Sequence, residues 1–161
     1  FFIASCAIYK GMRHSCKFSA VLSALWLTAC GSIPDTQRFK TDFQSAVQAY
    51  EAGDYAAARK LWQPLADNYD LAALRNLGHL YRLGQGVEKD AEKARRYYEK
   101  AAKLGHAPSQ TNLAELYLSG DGITQDSEKG MAWLKKAAAQ GYPPAETLLA
   151  IKNQRFEFHT R

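Results

Sequence analysis

The sequence predicts an all-α fold, an α/α superhelical solenoid of helix hairpins, on three observations. Slid against itself, the chain matches at an offset of 36 residues: Leu77, Tyr81, Gly84, Gly86, Val87, Asp90, Lys93, Tyr97, Lys100, Ala101, Ala102 and Gly105 recur as Leu113, Tyr117, Gly120, Gly122, Ile123, Asp126, Lys129, Trp133, Lys136, Ala137, Ala138 and Gly141. Each unit carries apolar residues at helical spacing (Ala73, Leu77, Leu80, Tyr81), a glycine-rich break, and a second helical stripe (Ala94, Tyr97, Tyr98, Ala101, Ala102, Leu104). Helix-end residues punctuate the same boundaries. Asp70, Asp90 and Asp126 stand where N-caps belong, Pro108 and Pro144 fit a first helical turn, and Gly105 and Gly141 suit the left-handed position after a helix. At 161 residues, 47% hydrophobic and 23% charged, the chain suits one ordinary globular domain and excludes a disordered, collagen-like or disulfide-built one.

Residues 1–11 contain no methionine and precede a complete targeting segment, so they read as a start-site artefact. Residues 12–29 have the order of a secretory signal peptide: a basic stretch with Arg13, His14 and Lys17, then an apolar run from Phe18 to Ala29. That run is 12 residues long, well short of the roughly 20 that a spanning helix needs. It ends Leu27-Thr28-Ala29-Cys30-Gly31-Ser32, which resembles a bacterial lipobox. The resemblance implies cleavage before Cys30, a diacylglyceryl group on its thiol and an acyl chain such as palmitate on its new amino terminus. Several acyl chains hold a protein stably on a bilayer where one binds only reversibly. With no acid at Gly31 or Ser32, the resemblance leans toward the outer membrane, facing the periplasm. Cys6 and Cys16 fall in the removed region and Cys30 carries the lipid, so the mature chain has no disulfide or redox pair.

Residues 30–40 then form a tether; the ten residues between Cys30 and Thr41 reach at most about 35 Å. Over 41–69, Ala46, Tyr50, Gly53, Asp54, Tyr55, Ala58, Trp62 and Leu65 mark a first hairpin, opened by a capping box at Thr41 and Gln44. Measured from tyrosine to capping aspartate, its turn is five residues shorter than the next one. Residues 70–106 and 107–142 form two full units. Ala145, Leu149 and Ala150 repeat Ser109, Leu113 and Ala114, which makes 143–154 a capping helix and leaves 155–161 as a polar tail. Small residues (Gly78, Ala101, Ala102, Ala114, Ala137, Ala138) let helices approach while Tyr81, Tyr97, Tyr117 and Trp133 fill the gaps.

The pattern AxxxLGxxYxxGxGVxxDxxKAxxYYxKAAxxG runs from Ala73 to Gly105 and resembles the Sel-one-like repeat, a branch of the tetratricopeptide superfamily. The second copy departs from it at Ser109, Ala114 and Gly130, all small-for-small changes, and residues 41–69 resemble an ordinary tetratricopeptide hairpin. The resemblance covers about residues 42–152. It implies a solenoid whose first helices line a concave surface where partners dock.

Chemistry is sparse. The histidines beyond Cys30 are His79, His106 and His159, and there is no GxSxG, HExxH, CxxC or GxxxxGK[ST] pattern, so neither a cofactor nor a metal is expected and the chain reads as not an enzyme. Gly84-x-Gly86 and Gly120-x-Gly122 recur at the repeat period, as linkers do. The carboxylates Glu88 and Asp90, or Asp121 and Asp126, include equivalent capping positions.

Function in a repeat array should sit where units differ. Arg75, His79 and Arg82 fall at i, i+4 and i+7 on one stripe, with Thr111, Glu115 and Leu118 and then Thr147, Ile151 and Gln154 as their equivalents. Arg75, His79, Arg82, Thr111 and Glu115 are therefore the candidate partner-binding residues, on a patch graded from basic to mixed. The formal charge of +5 is mostly N-terminal. Removing Lys10, Arg13 and Lys17 from 21 basic residues leaves 18 against 16 acidic ones, a net of +2 that argues against nucleic acid.

The expected function is a lipid-anchored periplasmic scaffold binding a protein or peptide partner, similar to repeat lipoproteins of envelope and exopolysaccharide assembly. The alternative is a cell-wall-active or β-lactam-binding or hydrolysing enzyme, an activity linked to cysteine-rich relatives whose repeated cysteines this chain lacks. Glycan binding through tyrosine grooves is weighed down by the tyrosines' recurrence at packing positions. No motif sets an oligomeric state.

Overall fold

The computed structural model describes residues 36–159, with side chains described over 40–154, all within one compact unit, Asp35–Arg161. Among the described residues there are seven helices and no strand: α1 Thr36–Glu51, α2 Tyr55–Asp67, α3 Leu71–Leu83, α4 Ala91–Lys103, α5 Ala107–Ser119, α6 Ser127–Ala138 and α7 Pro143–His159. Packing runs between helices adjacent in sequence, and α5 also reaches α7. This is the nearest-neighbour arrangement of an α/α solenoid.

The helix ends are built as the cap residues predict. Asp70 Oδ1 accepts from Ala73 N at 2.7 Å, Asp90 Oδ1 from Lys93 N at 2.8 Å and Asp126 Oδ1 from Lys129 N at 2.9 Å. Asp54 caps α2 in the same way, on Ala57 N. Each such cap contributes about 1 kcal/mol by satisfying an orphan amide. Gly105 and Gly141 adopt φ of 87° and 72° after α4 and α6. The first hairpin puts Tyr69 at that same left-handed position, with φ 61° and 66% of its surface exposed.

Two boundaries differ from the sequence reading. Helix α1 begins at Thr36, so residues 36–40 of the expected tether are helical; Thr41 lies within α1 and is not its N-cap. Phe39 stands four residues before Phe43, so the apolar spacing continues one turn further upstream than the capping-box pattern suggested. At the other end α7 runs on to His159, taking most of the expected polar tail 155–161, because no glycine or proline follows Pro144 to stop it. Cys30 and the segments 1–11 and 12–29 lie outside the described residues.

The core is a ladder of size-matched pairs. Gly78 sits against the Tyr98 ring, and a Cβ there would enter the ring's space. One repeat on, the two equivalent positions hold Ala114 and Leu134, both fully buried: the larger partner goes with the smaller neighbour. Gly130 obeys the same rule, since a Cβ on it would come within 2.6 Å of Leu118 Cγ. The linker glycines lock adjacent units: a Cβ on Gly86 would meet Tyr55 and one on Gly122 would meet Ala91, the first residues of α2 and α4. Lys93 Nζ caps the Tyr81 ring at 4.1 Å and its equivalent Lys129 lies 5.9 Å from that of Tyr117.

Gly78→Ala should therefore destabilise the fold by about 1 to 3 kcal/mol, although alanine is the better helix former, because the added methyl overpacks the Tyr98 contact. Urea unfolding measures it. An unchanged or raised midpoint would show that the α3–α4 spacing is not set by this pair.

Candidate partner-binding site

Helices α1 and α3, the first helices of consecutive hairpins, flank a groove of about 480 Å³ lined by Val47, Tyr50, Glu51, Trp62, Arg75, Asn76, His79 and Leu83. Its floor is aromatic. The Trp62 ring lies 5.7 Å from that of Tyr50 and 6.4 Å from that of Phe43, and the Tyr50 hydroxyl donates to Gln85 Oε1 at 3.2 Å. Leu83 stands on the wall with 57% of its surface exposed. Three aromatic rings at one helix junction give a rigid base with little conformational entropy left to lose on contact.

The stripe Arg75, His79, Arg82 lies on α3 as its spacing predicts, but its members meet different fates. His79 is the centre of a polar cluster. Its Nδ1 lies 3.1 Å from the Tyr98 hydroxyl on α4 and its Nε2 lies 3.1 Å from Asn112 Nδ2 on α5. With the Asn112 amide nitrogen facing the ring, Nε2 accepts and the ring proton sits on Nδ1, donating to Tyr98. Burial first, then the charges of Arg75 and Arg82, bring the His79 pKa from its ordinary 6.5 to about 4, and burial pushes Tyr98 up to about 12. Both rings are neutral at physiological pH.

Arg82 is also engaged, pairing across repeats with Glu115 Oε2 at 3.4 Å. Thr111 is 5% exposed, and its hydroxyl donates back to Ala107 O at 3.0 Å. Its place on the stripe is thus turned inward, a correction that follows from α5 packing between α4 and α6 with a belt of buried polar residues, Ser109, Gln110, Thr111 and Asn112. Gln110 in that belt donates to Ala102 O at 3.0 Å and accepts from Gln140 at 2.7 Å. Arg75 alone of the five has no hydrogen bond or ion pair among the described residues, and its Nε is buried without a partner. Trp62, only 2% exposed, likewise leaves its indole N–H unpaired at the groove floor. Trp62 and Tyr50 are groove residues that the difference-between-units rule passes over, because in sequence they look like repeat packing; Leu83, whose equivalent one repeat on is Ser119, differs between units but lies outside the stripe of Arg75, His79 and Arg82.

The comparisons with known proteins agree with this architecture. The Sel1 repeat family matches residues 71–106 and 107–142, the two full units α3–α4 and α5–α6. The chain carries two Sel1 repeats. A solved Sel1 repeat protein from Oxalobacter formigenes is 34% identical, with a TM-score of 0.63 over 66% of this chain and 44% of that one. Antigen c5321 of uropathogenic Escherichia coli, described as displaying an SLR fold, is 21% identical with a TM-score of 0.64, over 81% of this chain and 28% of that one. Helicobacter pylori cysteine rich protein B is 22% identical with a TM-score of 0.55, over 74% of this chain and 100% of that one. The last two speak for the fold alone. The chain spans less than half the length of the first two relatives. A Sel1-repeat solenoid is a scaffold for protein contacts, since its stacked hairpins present a continuous groove and wall.

The His79 cluster makes the Sel1 array pH-sensitive in a defined direction. The unfolded chain takes up a proton as pH falls through 6.5, while the folded ring resists until about 4. This group's contribution is therefore complete above 6.5 and is lost as pH falls toward 4, by about 1 to 2 kcal/mol once the ring's partial exposure is discounted. Urea unfolding at pH 7.5 and 4.5 should show a larger loss for the natural protein than for His79→Gln. Identical losses would separate His79 from the pH response.

Proposed function

We propose that this Sel1-repeat protein is a scaffold of the bacterial envelope, anchored by lipid on Cys30 at the periplasmic side of the outer membrane, which holds a protein or peptide partner in the groove between α1 and α3 as part of envelope assembly. The observation that carries the partner half is the groove itself: an aromatic floor, an exposed Leu83 and a cation, Arg75, without a pairing partner among the described residues. An apolar centre with one unpaired polar anchor is the composition of interface hot spots. The anchor half rests on the sequence Leu27-Thr28-Ala29-Cys30 after a basic and apolar leader. No described helix is long and apolar enough to cross a membrane.

Expressed in a bacterial host, the protein should fractionate with membranes and carry the intact mass of an acylated chain beginning at Cys30, whereas Cys30→Ser should lose both properties. An uncleaved, unmodified product from the natural sequence would overturn the anchor. For the partner half, a benzophenone side chain introduced at Leu83 should give one discrete crosslinked adduct in whole cells, and the same probe at the exposed Glu128 on α6 should not. Equal patterns from the two positions would remove the groove as the docking surface.

A further inference from the structure

The groove's chemistry selects among partners, and its selectivity follows from how successive hairpins are registered. Between α3 and α5 the polar pairs join residues 33 apart: His79 with Asn112 and Arg82 with Glu115. The repeat is 36 residues, so each first helix meets its successor one turn, about three residues, back from the equivalent position. In that register the residue on α5 opposite Arg75 is Pro108, which offers no side-chain acceptor. On the other side the shorter first turn moves the equivalence by five residues, so Arg75 faces Val47, and both line the same groove. Arg82 has a carboxylate built opposite it; Arg75 has an imino acid on one side and an aliphatic side chain on the other.

Arg75 is half-buried, with its Nε covered and unpartnered and no carboxylate within ion-pair distance among the described residues. Its neighbour on the stripe, His79, adds no charge and has no free ring nitrogen, because both are taken by Tyr98 and Asn112. The remaining ionisable group of the groove is Glu51, exposed at the α1 end. The groove thus has one cationic point, Arg75, on the lining it shares with Val47 and Trp62, and one anionic point at its rim.

We infer that the groove takes an extended peptide segment bearing an aspartate or glutamate, its carboxylate forked on the Arg75 guanidinium and a flanking apolar side chain laid against Val47, Tyr50 and Leu83. The inference deepens the proposed function and rests on its reading that a partner docks in this groove. A planar guanidinium matches a carboxylate with two parallel hydrogen bonds, which an ammonium does not. Glu51 sets the direction, because the acidic side chain is repelled from that end and drawn to the Arg75 end. Trp62 beneath supplies an optical reporter: its indole is almost fully covered and any occupant rests next to it.

The test begins with a displayed library of random 12-residue peptides panned against the full chain, with binders resynthesised in three forms: as selected, with Asp and Glu changed to Asn and Gln, and with them changed to Lys. Binding is read by calorimetry and by the tryptophan emission of the natural protein against Trp62→Phe. The expected result is enrichment of peptides with a carboxylate beside an apolar residue. The amide forms should bind at least tenfold more weakly and the lysine forms not measurably. Arg75→Gln should bind acidic and amide forms alike, and Arg75→Lys should fall between. Peptides that bind equally in acidic and amide forms, or that bind Arg75→Gln undiminished, would overturn the carboxylate inference while leaving the docking groove in place. A library yielding no binder above background would overturn the docking reading and this inference with it. Were Arg75→Gln unfolded by circular dichroism, the acidic-against-amide comparison on the natural protein would still decide.

Discussion

The helix spacing of this chain rests on one constraint: within a hairpin, a large residue on one helix faces a small one on the other. Gly78 under Tyr98 and Ala114 beside Leu134 keep the two rows at a similar total volume, so the hairpins stack at one pitch although their side chains differ. The linker glycines carry the same pitch from unit to unit. Gly86 abuts Tyr55 and Gly122 abuts Ala91, in both cases with positive φ and no room for a side chain. Everything that depends on register, the polar contacts between repeats above all, depends on these close approaches.

Over that steric frame lies a polar layer that ties three helices at one point. His79 reaches α4 through Tyr98 and α5 through Asn112, and Arg82 reaches α5 through Glu115. Buried polar groups are tolerated where they are satisfied, and a satisfied network fixes geometry more narrowly than apolar contact alone. The layer is specific to the α3–α5 junction: the residues that follow Tyr98 and His79 by one repeat are Leu134 and Glu115. The array is uniform in its packing and individual in its polar contacts, and the candidate groove sits beside the most individual junction.

Most of the fold was legible because the signals that specify it are local. Aspartates at helix starts, glycines after helix ends and a 36-residue period all act within a few residues or by repetition, and each has a mechanism that a sequence displays. The misreadings have physical causes. The capping-box pattern at Thr41 does not mark the start of α1, which runs on upstream to Thr36, since a favourable cap pattern does not by itself stop a helix. Tyr69 went unremarked because the fold imposes a left-handed turn there at a cost of about 1 kcal/mol, where its repeats use glycine. For the site, helical spacing found the stripe Arg75, His79, Arg82 but could not tell paired members from the unpaired one. Thr111 was misplaced because burial of α5 on both sides is a tertiary fact.

The distinction among those arginines nonetheless has a sequence expression once the register is known. Pairs 33 residues apart assign Asn112 to His79 and Glu115 to Arg82, and they assign Pro108 to Arg75. Applied one unit further, the rule sets Asn112 opposite Ala145 and Glu115 opposite Leu148, so the last junction has no acceptor to offer and its contacts are apolar, as the cluster of Ala114, Leu134, Ala137 and Ala145 with Leu148 and Leu149 shows. A solenoid built this way satisfies its polar groups where repeats supply complementary residues and leaves them unpartnered where they do not, as at Arg75 Nε. A covered donor without a partner, such as Arg75 Nε, costs stability that an apolar side chain of similar size would spare. Arg59 Nε on α2 is unpartnered too; what sets Arg75 apart is its place on the wall of an aromatic-floored groove, the feature on which the docking proposal rests.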